Sequence, residues 1–527
     1  MISSIFVANF QSLMFPQEIR LAPLTLLVGA NSAGKSAVGR AMRLMQQSFE
    51  DHFVHFNGNR INLTNFHQAV SDNDETNAMR LGIGTDESFE VTTETISTLD
   101  HEEFVATFTP DMVSFELSGQ ETKVVEVNAE VRFSIDSRRH AYTLYDEGGK
   151  AHEVDSDSRY LGSGSIRFRT TRKHGSEIFV VAEVLSGEDI FTQWLHAAWH
   201  PGSDPGQPGG NGGNPLSLAR SKEQFAKLPW EFAVHFGRGL IPRTTMKDVG
   251  VDSALGAKAA RKIFEILEQS TILFSRISSS LQWVGPVRNI SSGFQEIRQR
   301  GDGGRSSNAD TKLSASGDNL QEVALQMDES EFDEMSNQLL SLTEGRFSVG
   351  RVKLNSDASW VPPMGQVTLF DNNKSGKIPI AFRDAGAGIS QVLPFLILAM
   401  GGQPSEESDP GAVTFVEQPE LHLHPEMQSR LGDFLIQATA EKETNRGLRR
   451  AQIIAETHSE AVILRILRRI REGQISPNDV AIIAIDKFEG GGSLAQQCRI
   501  SEEGSLQDEL PISFTRLRMN DILGLEL

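Results

Sequence analysis

The sequence predicts an α/β protein whose mixed sheet is assembled from both ends of the chain, and three observations predict it. Near the start, the apolar run Leu24–Val28 leads into a glycine loop and then a helix. After about residue 345, short strands return, and a helix after Gly388 opens a β-α-β-α-β rhythm that implies parallel strands. Between these regions, from about 86 to 185, the hydrophobic period becomes two, the mark of strands with one apolar face.

In chain order, Ile5–Val7 is a first apolar run and Leu24–Val28 a second. The helix begins at about Lys35 and carries Val38, Met42 and Met45 on one face. Val125, Val127, Ala129, Val131, Phe133 and Ile135 occupy odd positions and so share one face of a strand. Ile166 with Phe168, and the run Ile178–Val181, read as further strands of an inserted antiparallel β subdomain. The stretch 201–216, PGSDPGQPGGNGGNPL, suits only a linker. Helical stretches follow near 220–228 and at 256–281, then a polar, glycine-rich loop at 301–318. The expected organisation is a first core part at 1–85, the β insertion at 86–200, a linker at 201–218, a helical insert at 219–345 and a second core part at 346–527. No heptad pattern persists long enough for a coiled-coil arm.

Composition narrows the class. A chain of 527 residues exceeds one ordinary core, and 39% apolar with 23% charged residues suits a soluble globular protein. The net charge of −20 argues against a surface built broadly to coat nucleic acid. Arginines cluster locally at 446–450 and 465–471, where a solvated helix face and a basic groove are both open readings. The single cysteine, Cys498, excludes a disulfide framework and a cysteine-based zinc site. No apolar run reaches the roughly 18 residues of a membrane span, and MISSIFVANF lacks the features of a signal peptide. The expected location is cytoplasmic.

The loop itself, GANSAGKS at 29–36, carries the strongest chemical signal. In such a loop, backbone N–H groups of Gly29, Ala30, Asn31, Ser32, Ala33 and Gly34 wrap phosphates, and the following helix points its positive end at them. Lys35 is expected to reach the β- and γ-phosphates, and Ser36 to ligate Mg²⁺. This makes the chain a P-loop NTPase by expectation.

Such a loop needs an acid at the end of a neighbouring strand. The segment at 411–416 followed by Glu417-Gln418-Pro419-Glu420 supplies it, with proline ending the strand and carboxylates at its C-terminal edge. Upstream, the glycines at 386 and 388 precede a helix expected near Ile389, placing Ser390 and Gln391 in its first turn, where an anion is favoured. Downstream, strand Gln452–Ala455 is followed by Glu456-Thr457-His458-Ser459, which places His458 where it can sense a γ-phosphate.

FVEQPELHLHP, with DAGAGISQ upstream and AETHSE downstream, resembles the ABC-type ATPases of the overcoming-lysogenization-defect (OLD) group, relatives of SMC heads often called AAA family ATPases. The resemblance covers 1–70 and about 380–500, and WVGPVR at 283–288 adds a family-like strand. It implies a head of ABC-ATPase type that dimerises around ATP and Mg²⁺. Glu417 would then be the Walker B acid and a metal ligand with Ser36, and His458 the switch histidine. The segment with Gly388, Ser390 and Gln391 would cap the γ-phosphate of a second subunit. Gln68 is a candidate for the Q-loop glutamine, with a surface role equally open. The resemblance further implies a role in anti-phage defence or DNA-related processes, beside a separate effector such as a nuclease.

One position departs from the pattern. Where ABC-type heads carry a catalytic glutamate after the Walker B acid, this chain has Gln418, which can orient water but cannot take its proton. Either Glu420 or a relay through His458 substitutes, or hydrolysis is slow and ATP acts as a dimerisation switch. His422 with His424, and His196 with His200, have metal-like spacings, but packing and a plain helix face are the favoured readings. VAIIAIDKFEGGG lacks the acidic triad of a Toprim nuclease, so no nuclease is expected here. Self-association, an ATP-gated scaffold restraining a partner, and DNA-stimulated turnover are the functional alternatives, and a membrane partner is not expected.

Overall fold

The computed structural model describes residues 1–86, most of 276–288, 313–354, 364–372, 376–399, 412–449 and 451–508 apart from short gaps. Between 96 and 247, and at 295–296, it describes chiefly the backbone of strands. The linker at 201–216, the helix at 220–228, the loop at 301–312, His196 and His200 lie outside the described residues. So does the expected helix at 256–281 except at its end, where 276–278 and 280 are helical.

The chain divides into two units. One comprises Met1, Ser12–Arg40 and Ser279–Leu527, and the other Ile2–Gln11 with Ala41–Ser278. The first unit is built on a six-stranded sheet with the order Leu281–Val284, Val413–Glu417, Gln452–Glu456, Leu24–Val28, Val480–Lys487, Ser493–Cys498. The first five strands run parallel and the last pairs antiparallel with its neighbour. This is the mixed sheet assembled from both ends of the chain.

Every residue of Leu24–Val28 and of Gln452–Glu456 is buried. These strands lack the polar alternation of a half-exposed sheet because both faces are covered. Helices Ala387–Ala399, Pro425–Ala438 and Glu460–Arg471 share one apolar core with them, through Phe395, Phe434, Leu435, Val462 and Ile466. Trp283 and Phe415, on adjacent strands, stack with ring centroids 4.2 Å apart.

The division falls differently from the sequence expectation in two places. Residues 279–345 are not a separate helical insert. Leu281–Val284 is an edge strand of the central sheet, and helices Leu320–Gln326 and Glu329–Leu342 join its core. The resemblance marks WVGPVR as a strand, but four residues carry too little periodicity to show that it joins the central sheet beside Val413–Glu417. Residues 2–11 and 41–85 belong to the β-rich unit because Ile2–Ala8 pairs with Met79–Thr85, which pairs with Glu103–Gln120.

That unit holds a continuous antiparallel ladder through Glu103–Gln120, Lys123–Arg139, Ser158–His174, Glu177–Ser186 and Trp230–Val234. Val113, Val131 and Ile166 lie opposite one another across three strands and are all buried. This is the period-two face seen in the sequence, with hairpin strands of up to 18 residues.

Candidate functional site

The glycine loop leaves the central strand Leu24–Val28 at its C-terminal end. Gly29 is required by close approach: it has φ 147°, and a Cβ there would come 2.1 Å from the main-chain oxygen of Ile485 on the next strand. Ala33 is buried, Asn31 and Ser32 are exposed, and Ser32 adopts a left-handed φ of 59°. The helix begins at Lys35, so Gly34, Lys35 and Ser36 form its opening turn.

Lys35 is 3% exposed and folds over its own loop, donating to the main-chain oxygens of Gly29 at 3.1 Å and Ala30 at 2.7 Å. Burial lowers its pKa, opposed by the charges of Glu456, Glu420 and Asp486. The ammonium is thus held near the loop with three carboxylates in its field, ready to exchange two carbonyl acceptors for phosphate oxygens.

The central sheet corrects one expectation. The acid expected on a neighbouring strand, Glu417, is one strand further out, because Gln452–Glu456 lies between its strand and the loop strand. Register brings Glu417, Glu456 and Leu27 into line across three parallel strands, so both carboxylates emerge at the edge where the loop begins. The Ser36 hydroxyl is bonded to Glu456, at 2.8 Å from Oε2 and 3.1 Å from Oε1. Burial raises the pKa of Glu456, against the Ser36 hydrogen bond and the charges of Lys35 and Arg40.

After Glu417 the chain turns sharply. Gln418 takes a left-handed φ of 46°, and its N–H donates to the main-chain oxygen of Glu456 at 2.8 Å. Glu420 is buried, and its Oε1 accepts the N–H of His458 at 2.7 Å, tying the acidic turn to the segment after the next strand. Burial raises the Glu420 pKa. Burial, and then the Lys35 charge, lower that of His458. His458 opens onto a groove of about 550 Å³ lined also by Pro425, Gln428, Ser459, Leu464 and Arg465.

The helix expected near Ile389 begins at Ala387, directly after Gly386 at φ 88°. Gly388 therefore lies inside its first turn, where a Cβ would come 2.7 Å from the main-chain oxygen of His422. Ser390 donates to Phe382 O at 3.2 Å. Gln391 is not at an open first turn. It is buried, and its amide exchanges two hydrogen bonds with the backbone of Arg288, at 3.1 and 2.9 Å.

Arg288 is a residue that sequence reasoning passed over. It is 1% exposed, and its guanidinium donates to the main-chain oxygens of Gly285, Gln391 and Glu417. Burial brings its pKa down to about 10, against the opposing charges of Glu420 and Glu417. WVGPVR held it in view, but nothing local marks an arginine as a strut. Glu456 and Asp486 were also passed over as acids acting on Lys35, since Glu456 reads as the start of the segment leading to His458 and Asp486 as the end of an apolar strand.

Other expected residues have simpler places. His422 and His424 are exposed, and His424 caps helix Pro425–Ala438 with Nδ1 3.5 Å from the Glu426 nitrogen. Gln68 lies in the β-rich unit, on the short helix Phe66–Ala69 capped by Asn65. Arg465 and Arg469 both pair with Asp433, and Arg468 pairs with Glu472. Among the described residues no helix is long and apolar enough to cross a membrane.

Fold and site define the class: a P-loop NTPase fold in which an additional strand separates the loop strand from the acidic strand. Residues 286–465 match the family described as "AAA domain, putative AbiEii toxin, Type IV TA system". No curated protein matches the chain. Among solved structures, the chain is similar to an Smc head bound to the C-terminal winged-helix domain of ScpA, with 11% identity, a TM-score of 0.36, and 94% of this chain and 98% of that chain covered. It is also similar to an Smc head with an extended coiled coil bound to the C-terminal domain of ScpA, from Pyrococcus furiosus. There the identity is 11% and the TM-score 0.33, covering 94% and 96% of the two chains. The SMC head from Thermotoga maritima gives 8% identity and a TM-score of 0.30, covering 95% and 99%. The class rests on the loop and the sheet order rather than on these distant likenesses.

Proposed function

We propose that the chain is an ABC-type ATPase of OLD-like character that binds ATP–Mg²⁺ between two copies of its head and uses that binding, with slow hydrolysis, as a conformational switch. The observation that carries this reading is the pairing of a complete phosphate loop with Gln418 at the turn after Glu417. The grip is present, and the position of the usual proton acceptor holds an amide.

In this reading the loop N–H groups and Lys35 bind the phosphates, and Ser36 with Glu417 would hold Mg²⁺. These are hard oxygen donors, and Glu417 stands in register with Glu456, whose carboxylate accepts the Ser36 hydroxyl, so the residues fit that ion. When bound, the ion would neutralise charge on the β- and γ-phosphates. Gln418 orients water without accepting its proton, and the Glu420–His458 pair couples the acidic turn to the switch segment. Gly388 and Ser390, in the opening turn of their helix, meet the γ-phosphate bound by a second copy.

The setting is bacterial anti-phage defence or a DNA-related process, acting on a separate effector such as a nuclease, within the cytoplasm. Its supports are the family match over 286–465 and the three motifs quoted above. Direct DNA stimulation is the less favoured alternative, because Arg465, Arg468 and Arg469 are engaged with carboxylates of their own helix pair.

Nucleotide binding and phosphate release, measured on the same preparation, test the reading. Tight ATP binding with turnover well below one per second supports a switch. Turnover of many per second, unchanged by Glu420→Gln, overturns it.

A further inference from the structure

We infer that Arg288 is a positioning residue for hydrolysis: it holds the Glu417–Gln418 peptide and ties it to helix Ala387–Ala399, so that Gln418 is aimed only while that helix is seated. The inference rests on the reading of the chain as a pair of ATP-binding heads with Gln418 beside the attacking water.

The peptide between Glu417 and Gln418 is held at both edges. Its carbonyl oxygen accepts from Nη2 of Arg288 at 2.5 Å, and its N–H donates to the main-chain oxygen of Glu456 at 2.8 Å. A peptide is planar, so two opposed bonds fix its orientation and with it the direction in which Gln418 leaves the strand. Gln418 then takes its left-handed φ of 46°, a conformation that persists only where the surroundings enforce it. Its own carbonyl accepts the N–H of Leu421 at 3.1 Å, which closes the turn. Glycine adopts such a φ without strain, so the glutamine is kept for its side chain.

The other edge of the guanidinium belongs to the helix. Nη1 of Arg288 donates to the main-chain oxygen of Gln391 at 2.5 Å, and the Gln391 carboxamide bonds the N–H and the carbonyl of Arg288 in return. Gln391 directly follows Ser390 in that helix. A guanidinium is a rigid planar fork, so the Gln391 and Glu417 oxygens cannot shift independently without breaking a bond. All three acceptors of the side chain are neutral main-chain oxygens, although Arg288 is only 1% exposed. A buried charge without a directly bonded carboxylate is costly, and a plain brace does not need one. What the fork adds is a fixed geometry between the acidic turn and the helix. In a pair of heads, Gln418 serves the ATP on its own loop, whereas Gly388 and Ser390 meet the ATP of the other copy. Arg288 thereby joins the two nucleotide sites through one chain.

The test uses the full chain in a single-turnover phosphate assay, with affinity for a fluorescent ATP analogue measured on the same preparations. Arg288→Lys keeps the charge and loses the fork. Its ATP affinity is expected to stay within about twofold of wild type, which also shows that it folds, while phosphate release slows about 10- to 100-fold. The deciding readout is a cycle with Gln418→Glu. In an otherwise wild-type chain that change is expected to speed release about 10²- to 10⁴-fold. Combined with Arg288→Lys, the gain is expected to fall below about tenfold, because the new carboxylate is no longer aimed. Gln391→Met leaves the Arg288 side chain in place and is expected to reduce the same gain.

A gain from Gln418→Glu of equal size in all three backgrounds overturns the inference and marks a packing role for Arg288. So does a slowing by Arg288→Lys that only follows lost ATP affinity. A gain reduced by Arg288→Lys but kept with Gln391→Met overturns the tie to the helix. If Arg288→Lys does not fold, the Gln391→Met comparison decides alone. No gain from Gln418→Glu in a chain that binds ATP overturns the placing of residue 418 beside the water, and this inference with it. A wild type that binds no ATP overturns the ATP reading itself.

Discussion

The guanidinium of Arg288 donates to the main-chain oxygen of Glu417 at 2.5 Å while its second amino group donates, also at 2.5 Å, to that of Gln391. One buried side chain thus clamps the acidic strand to the helix that opens with Gly388 and Ser390. Each buried acceptor left without its donor costs about 1–3 kcal/mol. Arg288→Met is expected to destabilise the protein by about 3 kcal/mol or more, read as a lower urea midpoint. Arg288→Lys keeps the charge but not the fork, and is expected to fall between the two.

Lys35 makes its two side-chain hydrogen bonds within the loop, to Gly29 and Ala30. Lys35→Ala is therefore expected to leave the fold intact and to weaken ATP about 10- to 100-fold, the worth of a charge-assisted contact. Titration with a fluorescent ATP analogue, beside a thermal melt, separates the two effects.

The left-handed φ of Gln418 gives opposite expectations for two variants. Gln418→Gly removes a backbone strain of about 1–3 kcal/mol and is expected to raise stability by part of that without speeding turnover. Gln418→Glu supplies a proton acceptor and is expected to raise turnover about 10²- to 10⁴-fold. A single-turnover phosphate assay checks the second, and chemical denaturation the first.

Much of this site was legible in the sequence, and the reasons differ by element. GANSAGKS and the odd-position run through Val131 announce themselves because their signals are local. The strand order is not local. Which strand flanks Leu24–Val28 is decided by pairing between distant segments, and Ser36 meets Glu456 across 420 residues. Glu456 therefore read as the start of the segment leading to His458, and Glu417 as the acid on the strand next to the loop. Gly386 and Gly388 read together as residues preceding the helix, although the helix starts between them and only Gly386 needs its positive φ. Arg288 and Gln391 each look ordinary alone, and their partnership exists only in the fold.

Burial raises the Glu420 pKa above its ordinary value of 4.5, so the folded state holds this proton more firmly than the unfolded chain does. Between 4.5 and the raised value the unfolded state binds fewer protons, and stability falls as pH rises. Glu420→Gln removes this contribution. Its nucleotide-free stability is expected to decline less than that of wild type as pH rises from 4.5, in urea titrations at stepped pH.

The central claim is that ATP joins two heads through the loop at 29–36, and sedimentation with and without Mg²⁺–ATP tests it most directly. Wild type is expected to shift to a higher-mass species on ATP and Lys35→Ala to remain unchanged. Equal association of Lys35→Ala on ATP, or no response of wild type, would contradict the account.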